Sequence, residues 1–103
     1  MATQIFLNLP VKDLNKSIEF FTKLGYTFNQ QFTDSNATCM IISDTIYVML
    51  LVESYFKTFN TKEIANTKTT VEALLGLSAE SKEAVDKLVD TAISAGGTQT
   101  KDP

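Results

Sequence analysis

Histidine and arginine are both missing from this sequence of 103 residues, and cysteine occurs once, as Cys39. The absence of histidine excludes the histidine-based catalytic dyads and triads, the imidazole metal sites and the commonest general base near neutral pH. One thiol cannot build a tetrahedral zinc site or an intramolecular disulfide, which fits a reducing compartment. A metal ion would need a shell of carboxylates, amides and water. Composition therefore argues against most classes of enzyme.

The charged residues exclude a second group of functions. The chain has nine lysines, twelve acidic residues and a net charge of −3, whereas nucleic-acid binding needs a basic surface with forked arginine donors. No apolar run reaches the roughly 18 residues that cross a bilayer, and no basic stretch followed by an apolar one opens the chain. We therefore expect one compact domain over residues 1–103, in the cytoplasm, with no nucleic-acid or membrane partner.

The first quarter of the chain has the pattern of one strand followed by one helix. An apolar run at residues 3–9 predicts a strand that ends at Pro10. Asp13 is placed as an N-cap, and Leu14, Ile18 and Phe21 form the apolar stripe of a helix of about three turns. Gly25 is expected to end this helix in a left-handed conformation.

Three further strands are predicted at residues 26–32, 38–42 and 45–52, with turns at residues 34–36 and 44–45 between them. The last strand places Tyr47, Met49 and Leu51 on one face and apolar residues on the other. We expect it to be covered on both sides. The order of elements is then β-α-β-β-β.

The rest of the chain repeats part of this order. A short amphipathic helical turn and a polar connector occupy residues 53–70, and residues 71–77 have the pattern of a strand. A helix capped by Ser78 or Ser81 follows, and Gly96-Gly97 ends it. Its apolar stripe consists of Val85, Leu88, Val89, Ala92 and Ile93. The order of residues 5–25 thus recurs over residues 71–96, which favours an internal duplication; the alternative is a chance likeness between two common β-α units.

The segment from Leu7 to Tyr26 resembles the opening of the glyoxalase/bleomycin resistance protein/extradiol dioxygenase superfamily, also called vicinal oxygen chelate proteins. The resemblance lies in the pattern Val11-x-Asp13-Leu14-x-x-Ser17-x-x-Phe20-Phe21-x-x-Leu24-Gly25. The later run from Ala84 to Gly97 resembles the helix of that family's second module.

This resemblance implies an α+β fold of paired β-α-β-β-β modules whose sheets curl around a cavity. Module one would span residues 1–52, a connector residues 53–70, and an incomplete second module, with its β-α unit only, residues 71–103. Closing strands beyond Pro103 would need roughly 25 to 30 more residues. A one-strand sheet leaves a free edge, which a truncated gene, a partner chain that completes the sheet or a reduced fold would explain. We hypothesise a homodimer whose apolar sheet faces cover each other.

Members of this family often hold a divalent metal ion, and the resemblance implies ligands from the first and last strands of each module. Phe6 stands at the first ligand position, Met49 near the second, and Glu72 at the third. Phe6 cannot ligate, and the thioether of Met49 is too soft for hard or borderline ions. Gln4 could replace Phe6 only through a shift of register. We therefore expect no metal ion and no other cofactor.

The resemblance implies instead that a wall of apolar side chains faces the cavity. The residues expected to bind a ligand are Phe6, Tyr47, Met49, Leu51, Glu72 and Leu74. Such a wall suits an uncharged or aromatic small molecule; the alternative is core packing for the apolar members and a solvated carboxylate for Glu72. Cys39 is expected to be a buried structural residue rather than a nucleophile, because nothing near it in the sequence would favour its thiolate.

Three functions are then open. The leading one is a small-molecule binding protein similar to the glyoxalase and bleomycin resistance proteins, without an intact metal centre and without catalytic residues. The second is a divalent-metal-dependent lyase or dioxygenase of the same superfamily, with Glu72 as a ligand or base. The third is a truncated assembly module with no ligand.

Overall fold

The structure is a computed structural model that describes residues 3–70 and 72–98. The strands are β1 (Ile5–Val11), β2 (Thr27–Asn29), β3 (Ala37–Ile41) and β4 (Ile46–Val52), and the helices are α1 (Leu14–Lys23), α2 (Glu53–Phe56) and α3 (Lys82–Ser94). Two compact units result, Met1–Ile64 and Ala65–Pro103. The expectation of a single domain with a connector at residues 53–70 stays a prediction.

The first unit contains a four-stranded mixed sheet with the strand order β1-β4-β3-β2. β1 runs parallel to β4, whereas the β4–β3 and β3–β2 pairs are antiparallel. The expected β-α-β-β-β order and the α+β class are thus confirmed for this unit. β4 lies between β1 and β3, and Leu50 and Leu51, which point to opposite faces, each keep only 2% of their surface exposed. The expected coverage of β4 on both sides holds at this end of the strand, whereas Tyr47 and Met49 are half-buried.

Helix α1 packs on one face of this sheet and begins and ends as the sequence predicts. The Lys16 backbone N–H donates to Asp13 Oδ1 at 3.1 Å, and Gly25 follows the helix with φ at +99°. The buried centre of the core is formed by Leu14, Met40, Val48 and Leu50. Ile18 and Phe21 pack against it, which confirms the predicted stripe. Removal of these apolar side chains from water stabilises the unit.

Strand β1 continues through Pro10 to Val11, so the prediction that it ends at Pro10 is wrong. The Ile5 N–H donates to the Thr45 carbonyl at 2.7 Å. In a parallel pair, alternate residues direct their backbone N–H and C=O groups to the neighbouring strand. The backbone groups of the odd-numbered residues of β1 therefore point toward β4, and those of the even-numbered residues point away from it. The nitrogen of Pro10 therefore faces the outer edge of the sheet, where its missing N–H costs no ladder hydrogen bond.

Strand β2 ends at Asn29, so the predicted strand over residues 26–32 is too long. A 3-10 turn follows at Gln30–Phe32. The Asn29 side chain accepts a hydrogen bond from the Gln31 N–H at 3.0 Å, and the Thr33 hydroxyl donates to the Asn29 carbonyl at 2.8 Å. These local hydrogen bonds compete with the strand ladder and turn the chain out of the sheet.

The second unit has helix α3 but not the strand expected at residues 71–77. Val71 lies outside the described residues, and residues 72–77 have no regular secondary structure. Of the strand–helix unit expected over residues 71–96, the described residues therefore contain only the helix. Leu74 is 90% exposed, and an apolar pattern makes a strand only where a second strand completes its hydrogen bonds.

Helix α3 has the predicted ends. Ser81, and not Ser78, caps it: the Ala84 N–H donates to Ser81 Oγ at 3.1 Å. Gly96 follows the helix with φ at +114°. In the part of the chain that the structure describes, no helix is both long enough and apolar enough to cross a membrane.

Candidate ligand-binding face

The sheet of the first unit has a second face, on the side opposite α1. Successive residues of a strand point to opposite sides of a sheet, and the residues packed against α1 have odd numbers in β1 and even numbers in β3 and β4. The pairing register assigns the following residues to the other side, which we call the open face: Phe6, Asn8, Pro10, Tyr47, Met49, Leu51, Ala37, Cys39, Ile41, Thr27 and Asn29.

An aromatic pair lies at one end of the open face. Phe6 and Tyr47 are partners in the β1–β4 register, and their rings stack with centroids 5.0 Å apart and planes 12° apart. The Tyr47 hydroxyl donates to the Asp44 carbonyl at 2.9 Å, which fixes its ring against its own turn. Phe6 keeps 52% of its surface exposed. The pair is thus an ordered apolar surface that water still reaches.

Burial increases along β4 toward the other end of the open face. Tyr47 and Met49 are half-buried, whereas Leu51 is buried. Helix α2, which follows β4 directly, contacts both β1 and β4. The accessible part of the open face is therefore the region around Phe6, Tyr47 and Met49, while Leu51 acts as core.

The open face carries no carboxylate and no ammonium group. Its thiol, Cys39, keeps 2% of its surface exposed, and burial raises the pKa of this thiol because the thiolate would lose its hydration. A raised pKa keeps the thiol neutral, which supports the structural interpretation of Cys39 over the nucleophilic one. The chemistry of the face is that of neutral aromatic, sulfur and amide groups.

These side chains do not fit a divalent metal ion. Phe6, at the first ligand position that the family resemblance implies, has no donor atom and is stacked on Tyr47. Met49, near the second, offers only a soft thioether. Among residues 3–70 and 72–98, no group of three or more histidine, cysteine, aspartate or glutamate side chains is placed to hold a metal ion.

Four of the six predicted ligand-binding residues come together on the open face, namely Phe6, Tyr47, Met49 and Leu51. Glu72 and Leu74 belong to the second unit, where both are exposed, and their part in a ligand site stays a prediction. Asn8, which lies between Phe6 and Pro10 on the same side of β1, was not among the predicted residues. The two-residue period from Phe6 could have identified it.

Comparison with known proteins agrees with this architecture. A family model described as bleomycin resistance protein-like N-terminal matches residues 3–43. A hypothetical protein from S. aureus is similar in structure, with a TM-score of 0.79 and 30% identity over 100% of this chain and 77% of that one. The chain belongs to the glyoxalase/bleomycin resistance protein/dioxygenase superfamily.

A second solved structure shares the fold of this superfamily member. It is a glyoxalase/bleomycin resistance protein/dioxygenase family enzyme from Burkholderia phytofirmans PsJN, with a TM-score of 0.68 and 18% identity over 92% of this chain and 74% of that one. None of the curated proteins matches the chain in sequence. Superfamily membership accounts for the β-α-β-β-β order, but a shared fold does not by itself assign a function.

Proposed function

We propose that this superfamily member binds an uncharged aromatic or apolar small molecule on the open face, without the participation of a metal ion. The observation that carries the proposal is the stacked Phe6–Tyr47 pair, whose rings are ordered yet leave half of Phe6 exposed. An aromatic ligand would gain an offset-stacked or edge-to-face contact there. Such a protein would sequester its ligand rather than transform it.

The order of the aromatic pair supports the proposal. Because the Tyr47 hydroxyl is bonded to the Asp44 carbonyl, the ring needs no further ordering when a ligand arrives, and the entropic cost of binding falls. Met49, the next residue of β4 on this side, is half-buried beside the pair. Its flexible, polarisable thioether makes favourable contacts with aromatic rings and adapts to their shape.

A thermal-shift screen with uncharged aromatic compounds, carried out in the presence of a chelator, tests the proposal. A ligand at a hundred times its Kd would stabilise the folded chain by about 2.7 kcal/mol, which raises the melting temperature by several degrees. We expect Phe6→Ala to lose most of this shift. Phe32→Ala is the matched control, because Phe32 is also an exposed phenylalanine of the first unit, with 60% of its surface accessible, but lies in the turn after β2.

Two results would contradict the proposal. One is the absence of a shift with every compound, which would favour an assembly module with no ligand. The other is a shift that appears only after Ni²⁺, Zn²⁺, Fe²⁺ or Mn²⁺ is added, which would favour a metal-dependent lyase or dioxygenase.

We further propose that the chain acts as a homodimer in the cytoplasm. In the sheet of the first unit, β1 is an edge strand. Ile5 and Ile46, which are partners in the register at the N-terminal ends of β1 and β4, remain exposed. A second copy would remove them from water. Light scattering that gives the mass of one chain at all concentrations would contradict the dimer.

A further inference from the structure

We infer that Asn8 selects the ligand of the open face by accepting a hydrogen bond from an N–H or O–H group on an uncharged, fused or substituted ring. This inference rests on the proposed function and names the ligand class. It is carried by three observations: the place of Asn8 beside the aromatic pair, the orientation of its amide, and the absence of charged groups among the residues of the open face.

Asn8 is the next residue after Phe6 on the open side of β1, and it pairs in register with Met49. Its side chain is exposed. Two residues along a strand span about 6.6 Å. A molecule stacked on Phe6 therefore meets the Asn8 amide only if a polar group lies roughly that far from the centre of the stacked ring, which requires a second ring or a substituent.

The hydrogen bond of Asn8 fixes which end of its amide is free. Asn8 Nδ2 donates to the Phe6 carbonyl oxygen at 3.3 Å. A carbonyl oxygen only accepts, so the nitrogen end must point toward it and the oxygen end must point away. Within the described residues, no protein donor bonds to Oδ1. An exposed acceptor thus lies next to the aromatic pair along β1, where a donor group on a stacked ligand could replace the water that hydrates it.

The lack of charged side chains among the residues of the open face limits the ligand in a second way. A carboxylate, phosphate or ammonium group that leaves water for the accessible part of the open face would lie against the rings of Phe6 and Tyr47, the thioether of Met49 and the amide of Asn8, none of which is charged. The lost hydration of such an ion would not be replaced. A neutral ligand with an N–H or O–H group avoids this cost and satisfies Asn8.

The test compares 2-naphthol with 2-methoxynaphthalene, which have the same fused rings but differ in the hydroxyl donor, and adds 2-naphthoate as the charged analogue. Dissociation constants are measured by ¹⁵N NMR titration of the full chain, with the Asn8 side-chain NH₂ signals as a direct reporter. We expect 2-naphthol to bind about tenfold more tightly than its methyl ether, as one hydrogen bond to a polar partner allows. We expect 2-naphthoate to bind most weakly.

Two variants complete the design. Asn8→Ala should raise the dissociation constant of 2-naphthol about tenfold and leave that of 2-methoxynaphthalene unchanged, so that the two compounds bind equally. Asn15→Ala should change neither, because Asn15 lies on α1, on the other side of the sheet. The discrimination by the unaltered chain is read without any variant, so the test remains decisive if Asn8→Ala does not fold.

The outcomes separate this inference from the proposed function. Equal binding of 2-naphthol and its methyl ether, weakened equally by Phe6→Ala, would overturn the role of Asn8 and leave the aromatic site in place. Tighter binding of 2-naphthoate would also overturn the inference. If neither naphthalene binds, the inference fails, and the proposed function fails with it only when the wider thermal-shift panel also gives no shift.

Discussion

The helices of the two units have similar capping signals, but their apolar side chains are buried to very different extents. α1 and α3 each begin at a side-chain cap, Asp13 or Ser81, and each is followed by a glycine with positive φ. Leu14 of α1 keeps 7% of its surface exposed, whereas Val85 of α3 keeps 42%. Capping signals therefore set where a helix begins and ends, whereas the burial of its apolar stripe depends on what packs against it.

The segments that the sequence predicts to be strands show the same contrast more sharply. Residues 46–52 are apolar and residues 72–77 are mostly so, but only the former lie between two hydrogen-bonded neighbouring strands. A helix satisfies its backbone groups internally, whereas a strand needs another strand. The first unit is therefore the folded core on which a site can be built.

The largest effect is expected from a matched pair of leucine substitutions. Leu50→Ala should lower the free energy of unfolding by about 2–5 kcal/mol, because Leu50 is buried at the centre of the core and its loss leaves a cavity. Leu74→Ala should change it by less than about 0.5 kcal/mol, because this side chain is 90% exposed. Urea unfolding measures both. Equal losses would show that the second unit is packed as tightly as the first.

A smaller effect is expected from the two glycines that follow the helices. Gly25 and Gly96 have φ at +99° and +114°, and a Cβ at either position would meet no atom within 4 Å. Gly25→Ala should therefore act through backbone strain alone and cost about 1 kcal/mol of global stability. Gly96→Ala should loosen only the last turn of α3. Amide hydrogen exchange distinguishes the two, and a global loss with Gly96→Ala would contradict this view.

The smallest effect concerns pH and the single thiol of the first unit. Burial raises the pKa of Cys39 in the folded chain, so the unfolded chain releases this proton first as pH rises. The contribution of Cys39 to stability is thus fully present below about pH 8.5, the ordinary thiol value, and is lost above it. The slope stays below about 1.4 kcal/mol per pH unit, the limit for one proton.

The control for this prediction is Cys39→Ala. The difference in unfolding free energy between the unaltered chain and this variant, measured by urea unfolding from pH 7 to pH 10, isolates the thiol from other titrating groups. A difference that grows with pH in favour of the unaltered chain would have the wrong sign.

Much of the first unit was predictable because its signals are local. Asp13, Gly25 and the α1 stripe each act within a few residues, and alternation alone grouped Tyr47, Met49 and Leu51. The end of β2 was missed because Asn29 and Thr33 bond to the nearby backbone, a competition that strand propensity does not register. Asn8 was missed because an exposed polar residue in a half-buried strand is ordinary until its neighbours are known.

The amino-acid pattern by itself determined both ends of α1, the glycine that ends α3 and the β-α-β-β-β order, because each depends on signals within a few residues of the chain. It also carried the family likeness. Only the tertiary structure decided that Pro10 could stay within a strand, that residues 72–77 form no strand, and that Phe6 and Asn8 share an open face with Tyr47 and Met49. These outcomes depend on strand pairing between residues about 40 positions apart, and long-range pairing is stabilised by burial and ladder hydrogen bonds that no local pattern specifies.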